Sequence, residues 1–256
     1  MANKSIREAL KAGLEPQSIN QKPMPRYCYT PNIKGRPVRV PTSQQAAKII
    51  TNGLWMVLKH SKDSTMFRRL QSLIRTIRFS RRWHISRARS LTLGNLHLLK
   101  GFKFNEKSSL RSILKCSINF TTHLGTNSAK LSIPSFVPRR DIDWPDKASC
   151  CRIKTILIGI DLDKGEYNCC GAFSGRLSRK TTAKTSYDIV NDIPHGSFPL
   201  LIFCCGIDFY AVDSNNKASR ILELKYNPLE IGAVDYVKFE KLEDYLNKSG
   251  RIKKII

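Results

Sequence analysis

The stretch Leu200-Leu-Ile-Phe-Cys-Cys-Gly-Ile-Asp-Phe-Tyr210 decides the reading of the C-terminal half. Its first eight residues are almost continuously apolar and end in β-branched and aromatic types, which predicts a strand in the middle of a sheet. Similar short runs lie around it: Ile113–Phe120, Lys130–Ile133, Cys151–Ile160, Tyr167–Phe173 and Ala233–Phe239. Gly125-Thr-Asn-Ser, Asp163-Lys-Gly and Asp213-Ser-Asn-Asn punctuate them with residues that supply turns. Short strands at this spacing predict an antiparallel β-sandwich.

The N-terminal part has a different texture. Pro16, Pro23, Pro25, Pro31, Pro37 and Pro41 interrupt residues 1–41, leaving room for a short extended piece at Arg26-Tyr-Cys-Tyr-Thr-Pro31. Thr42 or Ser43 then has the chemistry of a helix N-cap. Ala46, Ile49, Ile50, Leu54, Val57 and Leu58 follow at helical spacing and predict a helix over 43–60. Phe67, Leu70, Leu73, Ile74 and Ile77 predict a second over 64–80, and two amphipathic helices in succession suggest a hairpin. The expected class is therefore α+β: short N-terminal helices followed by an antiparallel β-sandwich. The expected division is a basic, proline-broken region with a helical hairpin at 1–107, a sandwich domain at 108–245 and a basic tail at 246–256.

Charge separates the same two halves. The 256 residues carry 44 Lys+Arg and 20 Asp+Glu, a formal net charge of +24. Residues 1–110 hold 22 of the basic residues against four acids, and 111–256 hold 22 against 16. Between Asp63 and Glu106 there is no acid. That window contains Arg68, Arg69, Arg75, Arg78, Arg81, Arg82, Arg87 and Arg89, a candidate polyanion-binding set. The planar guanidinium fork binds phosphate bidentately, and Trp83 stands among these arginines as a candidate for stacking on bases. A solvated helix face is the plainer reading of the same residues.

Other patterns carry less. No P-loop, G-x-S-x-G or G-x-G-x-x-G pattern occurs, nor any H-E-x-x-H or C-x-x-C, so neither a cofactor nor a metal is expected. Asp161-Leu-Asp-Lys-Gly165 opens like a calcium loop but lacks its later ligands, and reads better as a strand ending in a turn. Asp141, Asp143 and Asp146 beside Arg139 and Arg140 suggest charge pairing more than acid–base chemistry. The three vicinal pairs Cys150-Cys151, Cys169-Cys170 and Cys204-Cys205 read as reduced, structural thiols; each pair can place only one thiol in a given core. The polar start lacks the apolar segment of a secretory signal, and no apolar run reaches membrane-spanning length, so a cytoplasmic location is expected.

Five phrases in order also resemble a known group of sequences. They are Gly101-Phe-Lys-Phe-Asn-Glu-Lys-Ser-Ser-Leu110, Lys130-Leu-Ser-Ile-Pro-Ser-Phe-Val-Pro138, Asp143-Trp-Pro-Asp-Lys-Ala-Ser149, Ile158-Gly-Ile-Asp161 and Phe198–Tyr210. With the Thr42-Ser-Gln-Gln45 helix start, this order resembles a family of uncharacterised Bacteroidetes proteins. The resemblance implies a bacterial origin and a C-terminal all-β domain, and transfers no activity and no functional residue.

The functional expectation is a non-enzymatic structural or binding protein, with a basic helical region for an anionic partner and a sandwich that offers a surface to a protein partner or a second copy. The alternative is a sequence-nonspecific nucleic-acid binder acting through the Arg-rich segment at 66–89. A hydrolase with a site at the loop end of the sandwich is a third class.

Overall fold

A computed structural model describes the backbone of residues 27–29, and residues 42–79 and 95–237 apart from 163, 195 and 216. The helices are α1 (Ser43–Gly53), α2 (Trp55–Leu58), α3 (Met66–Phe79), α4 (Leu110–Ile113) and α5 (Pro138–Asp141). The strands are β1 (Tyr27–Tyr29), β2 (Asn119–His123), β3 (Ser128–Phe136), β4 (Cys150–Asp161), β5 (Glu166–Phe173), β6 (Leu177–Ser178), β7 (Thr185–Asp192), β8 (Leu200–Val212), β9 (Ala218–Arg220) and β10 (Leu229–Tyr236). This is the expected α+β order, and every strand pairing is antiparallel.

The main sheet runs β1-β5-β4-β8-β10, with β6 added to β4 and β9 to β8; a smaller sheet runs β2-β3-β7. Two cores follow from the strand period of two. On one face of the main sheet, Ile156, Ile158 and Ile160 of β4 and Leu200, Ile202 and Cys204 of β8 are buried with Ala46, Ile50, Leu54, Leu70, Ile74 and Ile77 of the helices. On the other, Cys151, Ile153, Leu157, Phe203 and Phe209 meet Ala129, Leu131, Ile133 and Ile189 of the small sheet. The molecule is thus helices, large sheet, small sheet. The helices and the main sheet share one hydrophobic core across the 107/108 position where the sequence suggests a boundary.

The cysteine pairs show why two cores matter. Cys169 and Cys204 lie in the helix-side core, and Cys170 and Cys205 in the sandwich core. These two pairs therefore bury both thiols, one per face, whereas in the third Cys151 lies in the sandwich core and Cys150 is buried outside both cores; the described cysteines form no disulfide.

Local chemistry explains the helix starts. Thr42 Oγ1 accepts from Gln45 N at 3.2 Å while Thr42 N donates to Gln45 Oε1 at 2.8 Å, the reciprocal capping box. The first predicted strand, 113–120, is mostly something else. Ser109 and Ser112 form a second capping box that turns 110–113 into α4, and the strand starts at Asn119. A single turn is too short to show a helical period, so the β-rich composition misleads there.

The edge of β10 is covered by residues 101–104. Gly101 N donates to Ile231 O at 2.8 Å, Ile231 N to Phe102 O at 3.0 Å, and Phe104 N to Leu229 O at 2.9 Å. Gly101 has φ +82°, which glycine adopts without strain. Covering an edge in this way removes a template for pairing with other chains.

Gly206 of β8 allows another close approach. A Cβ there would stand 2.6 Å from the Pro228 carbonyl oxygen and 2.8 Å from Lys154 Cε. The backbone oxygen cannot swing aside as a side chain can. Gly206→Ala is expected to destabilise by about 1–3 kcal/mol, the usual range for overpacking. Urea unfolding checks it, and a midpoint equal to that of the native chain would refute it.

Candidate functional site

Continuing the helix-side face of the sheet beyond α2, the alternation turns from apolar to charged. Lys154 and Arg152 follow Ile156 on β4; Asp208 and Tyr210 follow Cys204 and Gly206 on β8; Arg220 of β9 stands opposite Tyr210. The end of α2 and the segment after it close over this end with Val57, His60 and Ser61.

Lys154 and Asp208 are nearly inaccessible, with side chains 2% and 1% exposed. Lys154 Nζ donates to Asp208 Oδ1 at 2.7 Å, to Ser61 Oγ at 2.7 Å and to Val57 O at 3.4 Å. Three donors thus meet three acceptors, as a buried ammonium requires. The second carboxylate oxygen, Oδ2, takes Arg220 NH2 at 3.1 Å. Arg220 also donates to the Tyr210 hydroxyl at 3.2 Å, and its Cζ lies 5.6 Å from the Tyr210 ring centroid.

The electrostatics follow from this crowding. Burial pulls the Lys154 ammonium below the usual lysine range against the pull of Asp208. Burial also lowers Arg152, helped by the neighbouring Arg176 and Arg220. For Arg220, Asp208 and Tyr210 outweigh burial and hold the guanidinium firmly protonated. Burial first, then Arg220 and Lys59, push the His60 imidazole towards its neutral form. Asp208 therefore holds both Lys154 and Arg220, and Arg152 stands in register with it on the neighbouring strand.

The arginines singled out in the sequence fare differently. Met66, Leu70, Ile74 and Ile77 bury one side of α3, leaving Arg68 and Arg75 exposed on its outer side. Arg78, one turn on, is half-buried. Arg69 serves the fold. It pairs with Asp63 at 2.6 Å and Glu106 at 3.3 Å, donates to Lys103 O at 2.9 Å, and stacks 5.3 Å from the Phe102 centroid. Asp63 in turn accepts from Thr65 N and Glu106 N, and these bonds outweigh burial to hold its carboxyl below the usual range. Arg81, Arg82, Trp83, Arg87 and Arg89 lie outside the described residues, as does the tail 246–256.

The chain matches no family, curated protein or solved structure.

Among the described residues no group of three or more His, Cys, Asp or Glu could hold a metal ion. No helix among them is long and apolar enough to cross a membrane. The acidic loop is built from ion pairs: Arg140 Nε meets Asp141 Oδ1 at 2.7 Å, Val137 N donates to Asp141 Oδ2, and Lys115 lies 3.7 Å from Asp143. Asp161 ends β4 by accepting from Lys164 N at 3.1 Å, the turn expected there. A separate groove of about 690 Å³ opens beside α4, lined by Leu110, Arg111, Cys116, Phe120, Glu230 and Gly232. Its acid, Glu230, accepts from Leu110 N at 2.8 Å, and burial raises its carboxyl above the usual range. Burial likewise raises the Cys116 thiol, away from the thiolate form that reacts.

Proposed function

We propose that this is a non-enzymatic structural or binding protein that holds an anionic partner on the outer side of α3. One observation carries the reading: α3 uses its apolar stripe within the protein's own core, and Arg68 and Arg75 stand exposed on the opposite side. The two are seven residues apart, two helical turns or about 10 Å along the axis. Side chains so placed can meet successive phosphates without rearranging the fold. The surrounding acid-free window and the net charge of +24 favour association with any polyanion by releasing its counterions.

Retention on heparin and binding to duplex DNA, each measured over a series of salt concentrations, test the proposal. Binding is expected to be weak, indifferent to sequence and steeply lost between low and physiological salt. The double variant Arg68→Gln/Arg75→Gln is expected to flatten the log–log slope by about 1–2, close to 0.9 for each phosphate contact removed. An unchanged slope would take α3 out of the argument. Binding to DNA with none to heparin would favour the dedicated nucleic-acid binder.

A further inference from the structure

The sandwich carries a basic surface of its own, which a charge count over its half of the chain hides. Residues 111–256 hold 16 acids, but none stands between Glu166 and Asp188, a stretch that carries Arg179, Lys180 and Lys184. The fold adds Arg139 from a distant segment. Arg139 N donates to the Thr181 carbonyl at 3.1 Å, which sets α5 beside the turn that follows β6. Phe136 of β3 is paired with Thr185 of β7, so Lys184 enters β7 next to the end of β3.

The backbone there is held in place by bonds that consume the neighbouring charges. The Trp144 indole donates to Pro138 O at 2.8 Å and pins the start of α5. Arg179 NH1 donates to the Pro145 and Asp146 carbonyls at 3.3 and 2.9 Å, so this arginine serves the fold as Arg69 does. Of the acids in the loop, Asp141 is taken by Arg140 and Asp143 lies 3.7 Å from Lys115, while Asp146 is followed directly by Lys147. Arg139, Lys180 and Lys184 are exposed and make no ion pair with a described acid. The main sheet separates them from α3, because the helices cover one of its faces and the sheet of β3 and β7 covers the other.

We propose that Arg139, Lys180 and Lys184 form a second surface for the phosphate backbone of a nucleic-acid duplex, so that one chain holds two duplexes. The count of two rests on the α3 reading above; the second surface does not. Three cations without acidic partners match a duplex, which presents one negative charge per about 1.7 Å of its axis. Trp144 and Tyr187, the aromatic residues nearest in the chain, pack into the sandwich core and are not free to stack on unpaired bases, which favours a duplex over a single strand. Contacts of this kind go to phosphates and read no sequence.

Titration of the full chain with a short fluorescent DNA duplex at low salt, followed by analytical ultracentrifugation, counts the duplexes held per chain. Arg139→Gln/Lys180→Gln/Lys184→Gln is expected to lower the count from two to one. Lys107→Gln/Lys164→Gln/Lys225→Gln removes the same charge from exposed positions elsewhere and should leave two. Arg139→Lys/Lys180→Arg/Lys184→Arg keeps the charges and should also leave two. In the native chain, bound duplex should slow acetylation of Lys180 and Lys184 but not of Lys164, a readout that needs no variant. If the α3 reading alone fails, the native chain holds one duplex and the Arg139/Lys180/Lys184 glutamine variant none. A count that this variant leaves unchanged, an equal loss in the Lys107/Lys164/Lys225 variant, or acetylation of Lys180 and Lys184 that the duplex does not slow overturns the proposal. A loss seen with heparin oligosaccharides and not with the duplex would assign the surface to a sulfated polysaccharide and overturn it as well.

Discussion

Asp208→Asn is expected to destabilise the protein by about 3–5 kcal/mol, the range for breaking a buried ion pair by removing one partner. The change keeps the side chain's shape, so the loss is electrostatic. Lys154 Nζ would retain Ser61 Oγ and Val57 O but lose the carboxylate 2.7 Å away. Arg220, with a side chain 31% exposed, can turn to solvent and loses less. The deficit should shrink as pH rises. The lysine's affinity for its proton, already depressed by burial, falls further without Asp208. At alkaline pH the unfolded chain then binds a proton that the folded chain lacks, and stability rises with pH until the unfolded lysine also loses it. Lys154→Met in the same background removes the stranded ammonium and should recover most of the loss. Urea midpoints at pH 7 and near pH 10 read all three outcomes. A single variant within about 1 kcal/mol of the native chain would mean that the pair contributes no more than a surface pair does.

This pair also marks where sequence reasoning stops. The long strands were legible because burial on both faces produces unbroken apolar runs, as in β4 and β8. The helices were legible because α1 and α3 bury one stripe each. β7 was not: Thr185-Ser-Tyr-Asp-Ile-Val-Asn-Asp192 reads as polar, yet Tyr187, Ile189 and Asn191 all turn inward. Asn191 occupies a core position because its carbonyl oxygen accepts from Thr155 Oγ1 at 2.8 Å and its amide donates to Cys170 O at 2.9 Å. No alternation rule counts an asparagine as apolar.

The charged cluster had a signal that composition obscures. Lys154 lies two residues from Ile156 on the face that also carries Ile158 and Ile160, and Asp208 continues the face of Ile202 and Cys204. Opposite charges interrupting two neighbouring apolar strands on the same face point to a buried pair. Recognising it requires the register that brings β4 beside β8, which no local pattern contains. The Arg-rich window shows the reverse case. It is conspicuous as a run of like charge, but Asp63 and Glu106, the acids that bound it, take up Arg69 for the fold. Counting charges along a chain cannot separate a cation that holds a loop from one that faces outward.

A fragment comprising residues 108–256 is expected to lose cooperative unfolding. The sequence invites a cut at 107/108, since the strands and the milder charge begin there. The cut would strip the main sheet of α1, α2 and α3. Ile156, Ile158, Ile160, Leu200, Ile202, Leu229 and Ile231, all at most 1% exposed in the whole protein, would face water. At about 1.5–3 kcal/mol for each such side chain, the loss is on the order of 10–20 kcal/mol, as large as the whole stability of a typical domain. Removing 101–104 would also uncover the β10 edge and invite association between chains. The fragment should therefore be aggregated or loosely packed, with a β-type far-ultraviolet spectrum, little near-ultraviolet signal and a broad urea transition. Co-expression with residues 1–107 should restore a soluble complex, because the missing face is an apolar surface that the helices complement. The small sheet does not protect the fragment, since it covers the opposite face of β4 and β8. A soluble fragment with a sharp urea transition would mean that the sandwich core alone holds the sheet, and that the helices dock onto a domain already folded.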